Sequence, residues 1–275
     1  SLLIIALLSS ITLLAIIVLW NRTNHPEISK CKISPRPYIA GFSNLYNLRM
    51  LFSYAANFAI YSVILTIIGK KFLEDICGLS SAVSSFTCTL MVIFSAILNQ
   101  VSGSLSTYMG NKRRPFFLWL NLFPMIGLVM AIIGIIVKRN ISPGWGMFFI
   151  CSFVTISLTA GFSSITSAIS RETNPPGSTG IAVGITNFAA YIMLAVLGSL
   201  TGLVLNCFNS YANIVDGKII YPATAYLSLF IIFLLISINS FRIAFRFPET
   251  NGLNIYAGKK RKISIAKIFS ITVNE

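Results

Sequence analysis

Seven apolar runs, each long enough to cross a bilayer, decide what this chain can fold into. A spanning helix needs about 20 consecutive apolar residues. Leu2–Trp20, Met50–Gly69, Leu79–Val101, Phe116–Val137, Trp145–Ile169, Gly180–Asn206 and Tyr221–Phe245 each provide such a run. The only Asp, Glu, Lys or Arg inside them is Arg242, near the end of the last. With 55% hydrophobic and 10% charged residues, the chain has too little polar surface to dissolve as a globular domain. The expected fold is an all-α integral membrane protein with seven transmembrane helices. Pro124 inside the fourth run is expected to kink it.

The charges lie in the breaks between runs. Sixteen of the 21 Lys and Arg fall on one side of the implied topology: Arg22, Lys30, Lys32, Arg36, Arg49, Lys112, Arg113, Arg114, Arg171, Arg242, Arg246, Lys259, Lys260, Arg261, Lys262 and Lys267. The positive-inside rule makes that side cytoplasmic and puts the C-terminus there, as in a plasma or bacterial inner membrane. The net charge of +14 therefore points to a bilayer with anionic headgroups as partner, not to nucleic acid. The five cysteines show no metal-ligand spacing and read as small apolar residues. A disulfide between Cys77 and Cys207, both on the outer side, is compatible with the topology. No pattern for a cofactor or metal, and no nucleophile–base constellation, argues for an enzyme. The first residue already lies inside an apolar run, so the expectation is that the sequence begins within something larger.

Three cytoplasmic breaks carry motifs. Gly103, Leu105, Gly110, Lys112 and Arg113 resemble the G-x-L-x-D-x-x-G-x-K/R loop of the major facilitator superfamily, with Thr107 in place of the Asp. Glu172, Pro175 and Gly180 resemble the E-x-x-P-x-x-x-R-G loop of that superfamily's sugar porters, with Thr179 in place of the Arg. Pro248, Glu249, Thr250 and Gly252 resemble the P-E-T-x-G that follows the last sugar-porter helix. The resemblance implies that residues 1–20 are the last helix of a missing N-terminal half and 21–49 a basic central loop. Residues 50–245 would form the C-terminal six-helix bundle, a 3+3 inverted repeat, and 246–275 a basic tail. It implies transport of a small solute by alternating access, with the missing half as partner.

It also implies roles for residues. Arg113, Arg114 and Arg171 are expected to pair with Glu172 and Glu249 in a latch of exposed ion pairs, each worth ~0–1 kcal/mol. Gly103 and Gly110 would allow the tight turn and Lys112 would anchor it. Tyr54, Asn57 and Tyr61 share a helix face, as do Thr155 and Thr159, and Asn187 and Tyr191. These seven are candidates to line a substrate cavity, the alternative being hydrogen bonds between packed helices. Asn57 and Tyr61 match the N-x-x-x-Y of the sugar porters' seventh helix, although Leu51 and Phe52 replace that family's paired Gln. The pairs Gly180/Gly184 and Gly198/Gly202 read as sites of close helix approach. Competing readings are a non-transporting remnant of a split transporter gene and a seven-helix receptor. The receptor reading is opposed by the absence of D-R-Y and N-P-x-x-Y at the expected helix ends.

Overall fold

The computed structural model describes residues 10, 13–14, 36–137, 143–215 and 218–256. The expected first span, most of the central loop and the tail beyond Tyr256 lie outside the described residues. The description below concerns the compact unit that starts at Pro37.

A short helix α1 (Arg36–Ser43) precedes six long ones: α2 (Leu45–Asp75), α3 (Ser81–Tyr108), α4 (Arg114–Val137), α5 (Trp145–Glu172), α6 (Thr179–Cys207) and α7 (Ala223–Phe245). All six are long and apolar enough to cross a membrane. Six of the seven expected spans fall on these helices, with two differences. In the stretch expected to be loop up to residue 49, α1 forms at Arg36–Ser43 and α2 already begins at Leu45. Asn44 causes that early start: its side chain accepts the Tyr46 N–H at 2.9 Å and caps α2. The second difference is an antiparallel hairpin between α6 and α7, β1 (Asn213–Val215) and β2 (Lys218–Ile220), with Ile214 opposite Ile219.

Helix α2 is the central one, with 67% of its apolar window buried against 17% for α3 and 22% for α6. Its regular helix is interrupted by π-helical stretches at Leu51–Ala55 and Ile64–Ile68. Gly69 closes the second stretch, where a Cβ would collide with the Ile64 carbonyl. Near the hairpin end Phe72 of α2 sits among Phe149, Tyr226, Phe230 and Phe153, with ring centroids 4.9, 5.2, 5.4 and 5.6 Å away. The same end holds the pair Lys71–Asp75 at 3.0 Å. Tyr226 donates to Asp75, and Lys71 also reaches the Ile219 carbonyl, which ties the hairpin to α2.

Pro124 stays inside a continuous α4. Lacking an N–H, it leaves the Leu120 carbonyl, four residues earlier, without its helical donor. Thr159 of α5 supplies the bond, donating to Leu120 O at 2.8 Å. Helices α4 and α5 are brought close by glycines other than the expected ones. A Cβ on Gly127 would lie 2.7 Å from the Ser152 carbonyl, and one on Gly134 2.8 Å from the Phe149 ring. Gly180, Gly184 and Gly202, by contrast, have nothing within 4 Å, and Gly198 meets only the Ile67 side chain at 3.2 Å. Of the glycines expected at close helix approaches, Gly198 alone meets another described helix. Cys77 is buried, Cys207 is exposed, and no disulfide joins them.

Candidate functional site

Helices alternate in direction, so the breaks rich in Lys and Arg collect at one end of the bundle, the basic end. The α3–α4 turn there needs two left-handed residues in succession, Gly110 (φ 77°) and Asn111 (φ 59°). Glycine adopts that region without the Cβ penalty, and Asn tolerates it. Gly252 (φ 77°) lies against the same turn, and a Cβ on it would come within 2.9 Å of the Asn111 Cβ.

Across this turn Arg113 reaches α5. Its Nε donates to Glu172 Oε1 at 3.1 Å, its Nη1 to Ser106 Oγ at 2.7 Å and its Nη2 to Asn111 Oδ1 at 3.3 Å. Glu172 spends its other oxygen on the Thr250 hydroxyl. Arg113 and Glu172 are only 8% and 7% exposed. The expectation of exposed, weakly coupled ion pairs is therefore corrected. This pair is desolvated, and removing either charge leaves the other without its partner.

Glu249 also differs from expectation. Its carboxylate oxygens accept the backbone N–H groups of Arg113, at 2.7 Å, and Arg114, at 3.1 Å. It caps the start of α4, where unpaired N–H groups and the helix dipole favour an anion. Arg114 turns away from both acids and donates to the Phe245 carbonyl at the C-terminus of α7, its guanidinium 5.4 Å from the Phe245 ring centroid. Arg171 pairs with no described carboxylate. Its side chain is exposed, and its carbonyl accepts from Asn254 at 2.6 Å. Lys112 is exposed as well, and its carbonyl accepts from Ser106 at 2.7 Å. Gly103 faces Ser164 of α5 with room to spare, a Cβ there lying 3.5 Å from the hydroxyl.

An asparagine cluster adjoins the ion pair and was not foreseen. Asn47 and Asn174 exchange amide bonds at 3.0 and 2.9 Å, and Asn44 donates to Asn174 Oδ1 at 3.0 Å. Asn254 donates to the Asn174 carbonyl at 2.8 Å, and the Ile255 N–H donates to the Glu172 carbonyl at 2.9 Å. The start of α2, the end of α5 and the chain after α7 are thus held in one network. Asparagines in loops are common, so only the partners reveal this role.

The seven cavity candidates fall in different surroundings within the described bundle. Asn57 is fully buried and donates to Asn121 Oδ1 at 2.7 Å, while Asn121 donates to the Phe117 carbonyl at 2.8 Å. Tyr54 and Tyr61 are buried beside it on α2. Thr159 serves Leu120, and Thr155 bonds back to the Cys151 carbonyl within its own helix. Asn57 and Thr159 thus bond between packed helices, and Thr155 does not. Asn187 and Tyr191 are instead exposed on α6. Their face continues through Gly180, Gly184 and Gly202. A second open polar face lies on α3, where Asn99, Gln100, Gly103, Ser104 and Thr107 border a groove of about 690 Å³ with Ser164.

The fold and this cluster define a helical membrane bundle whose basic end is closed by buried polar contacts. No protein-family model and no curated protein matches the chain.

Proposed function

We propose that the chain is the C-terminal part of a secondary carrier that moves a small solute across a membrane by alternating access. In this reading it is the half whose loop motifs it resembles, that of the major facilitator superfamily. The observation that carries this reading is convergence. Three motif-bearing stretches, distant in sequence, meet in one cluster: Arg113 with Glu172, Glu172 with Thr250, and Glu249 with the N–H groups of Arg113 and Arg114. A set of contacts between helix ends with two alternative arrangements is what a gate needs.

The helix neighbours support a 3+3 inverted repeat. Helix α2 packs on α6 and α7, α5 packs on α3 and α4, and α4 packs on α7. Exchanging α2, α3, α4 for α5, α6, α7 leaves this pattern unchanged, and the exchanged helices run in opposite directions. In this reading the basic end is cytoplasmic and its network is the closed gate. Exposed polar groups on a spanning helix need a water-filled cavity or a partner helix. The open faces of α3 and α6 are therefore assigned to the cavity and the N-terminal half. Asn187 and Tyr191 remain the substrate candidates. No described carboxylate lies mid-span, so a proton carrier, if the full protein uses one, belongs to the other half.

The test is the intact mass of the native polypeptide. A mass well above 30.1 kDa, with room for five more helices, supports the carrier-half reading. A mass near 30.1 kDa, with the protein monomeric in its membrane, removes it.

A further inference from the structure

The C-terminus of α7 gathers more arginines than the described acids pair with. Arg49 donates to the Arg246 carbonyl and Arg114 to the Phe245 carbonyl, both at 3.0 Å, so two guanidiniums cap the last turn of α7. Cations are favoured at that end of a helix dipole. Each guanidinium has five N–H donors, however, and the Arg114 Nε–H is buried without an acceptor. Arg242 in the last turn of α7 and Arg246 at its C-cap are exposed and form no ion pair with any described residue. Among the described residues the acids at this end are engaged elsewhere, Glu172 with Arg113 and Glu249 with the start of α4.

Below these cations an apolar stripe runs down the exposed face of α7, with the exposed Asn239 at its edge. Ile231, Leu235, Ile238 and Phe245 are 42%, 63%, 37% and 57% exposed and, with Arg242, follow helical spacing down one stripe. From Ile231 to Arg242 the rise is about 16 Å at about 1.5 Å per residue. That is close to the half-thickness of a bilayer core of roughly 30 Å. The stripe therefore matches one leaflet in length and ends in surplus guanidiniums at headgroup level.

We propose that this corner, formed by Arg114, Arg242 and Arg246 above the α7 stripe, binds the phosphate headgroup of an anionic phospholipid. One acyl chain would lie along Ile238, Leu235 and Ile231. Guanidinium forks match phosphate oxygens in geometry and charge. Arg242 and Arg246 touch neither Glu172 nor Glu249, and Arg114 joins the gate network through its backbone N–H alone, leaving its guanidinium to the corner.

The test is lipid retention by the full chain, reconstituted in nanodiscs of equal phosphatidylcholine and phosphatidylglycerol and released for native mass spectrometry. Two arginines near an anionic surface supply a preference of roughly thirtyfold for phosphatidylglycerol. The R242Q/R246Q variant should lose that preference, and R242K/R246K should keep most of it. K112Q, which removes an exposed cation elsewhere at the same end, should leave it intact. Equal retention of the two lipids by the unsubstituted chain overturns the proposal. So does an equal loss in K112Q, which would mean diffuse surface charge. Displacement of the lipid by millimolar inorganic phosphate would reassign the corner to a soluble phosphate compound and likewise overturn it.

Discussion

Glu172→Gln tests whether the buried pair holds the basic end closed. The substitution removes a carboxylate 3.1 Å from the Arg113 guanidinium, with both side chains 10% exposed. Stripping one partner from a buried pair costs about 3–5 kcal/mol, because the remaining charge has already been desolvated. Arg113 keeps Ser106 and Asn111 as acceptors, and the new amide keeps one acceptor oxygen, so the lower end, about 3 kcal/mol, applies. If the pair exists only in the closed arrangement, that energy shifts the open population roughly a hundredfold. Ser170 reports it. This residue is buried one half-turn from Glu172 with its hydroxyl 3.8 Å from the Met50 sulfur, so Ser170→Cys is a small change in a closed site. Labelling by a membrane-impermeant maleimide from the basic side should accelerate by about that factor in the Glu172→Gln background. The double replacement R113M/E172L should slow it again, since neither charge remains. Unaltered labelling in a folded Glu172→Gln protein would refute the argument, as would a double replacement that labels faster than the single one.

Four further outcomes are expected. Glu249→Gln keeps one oxygen for the start of α4 and should cost only about 0.5–2 kcal/mol, so its effect on the same labelling should be clearly smaller than that of Glu172→Gln. Thr159→Val leaves the Leu120 carbonyl without a donor and should destabilise by about 1–2 kcal/mol in thermal unfolding. Adding Pro124→Ala, which restores the N–H, should recover most of that. Gly127→Ala should destabilise by about 1–3 kcal/mol through its clash with the Ser152 carbonyl, whereas Gly184→Ala, with open space around it, should leave the melting temperature of the isolated bundle unchanged. Asn57→Ala should lower stability by orphaning Asn121, and N57L/N121L should lose less than the single change; a defect in uptake alone, at normal stability, would return Asn57 to the substrate site.

The spans were legible because a bilayer demands long uncharged runs, and that demand is written residue by residue. The Arg113–Glu172 pair was legible because both residues sit in recognisable loops at the same end. The role of Glu249 was not, since its partners are backbone N–H groups, which every residue carries and no sequence pattern marks. Pro124 announced a missing helical bond, but not that Thr159, 35 positions later in sequence, would fill it. The glycines misled for a different reason. The spacing of Gly180 and Gly184 is a packing signal only if a helix is present to pack, whereas Gly127 and Gly134, seven apart on α4, carry the observed close approach to α5.

The chain after α7 brings Glu249, Thr250, Asn254 and the Ile255 N–H to the basic end. Because a chain is made from its N-terminus, these groups emerge only after all six helices have left the ribosome. Until they arrive, the first N–H groups of α4 lack their cap and Glu172 has one oxygen unserved. A nascent bundle therefore lacks these contacts at the basic end however well its helices have inserted, and the stretch after α7 supplies them last. A premature stop ahead of Glu249 would yield a protein with every span in place and these contacts missing, a form that membrane quality control could tell from the finished one by that end alone.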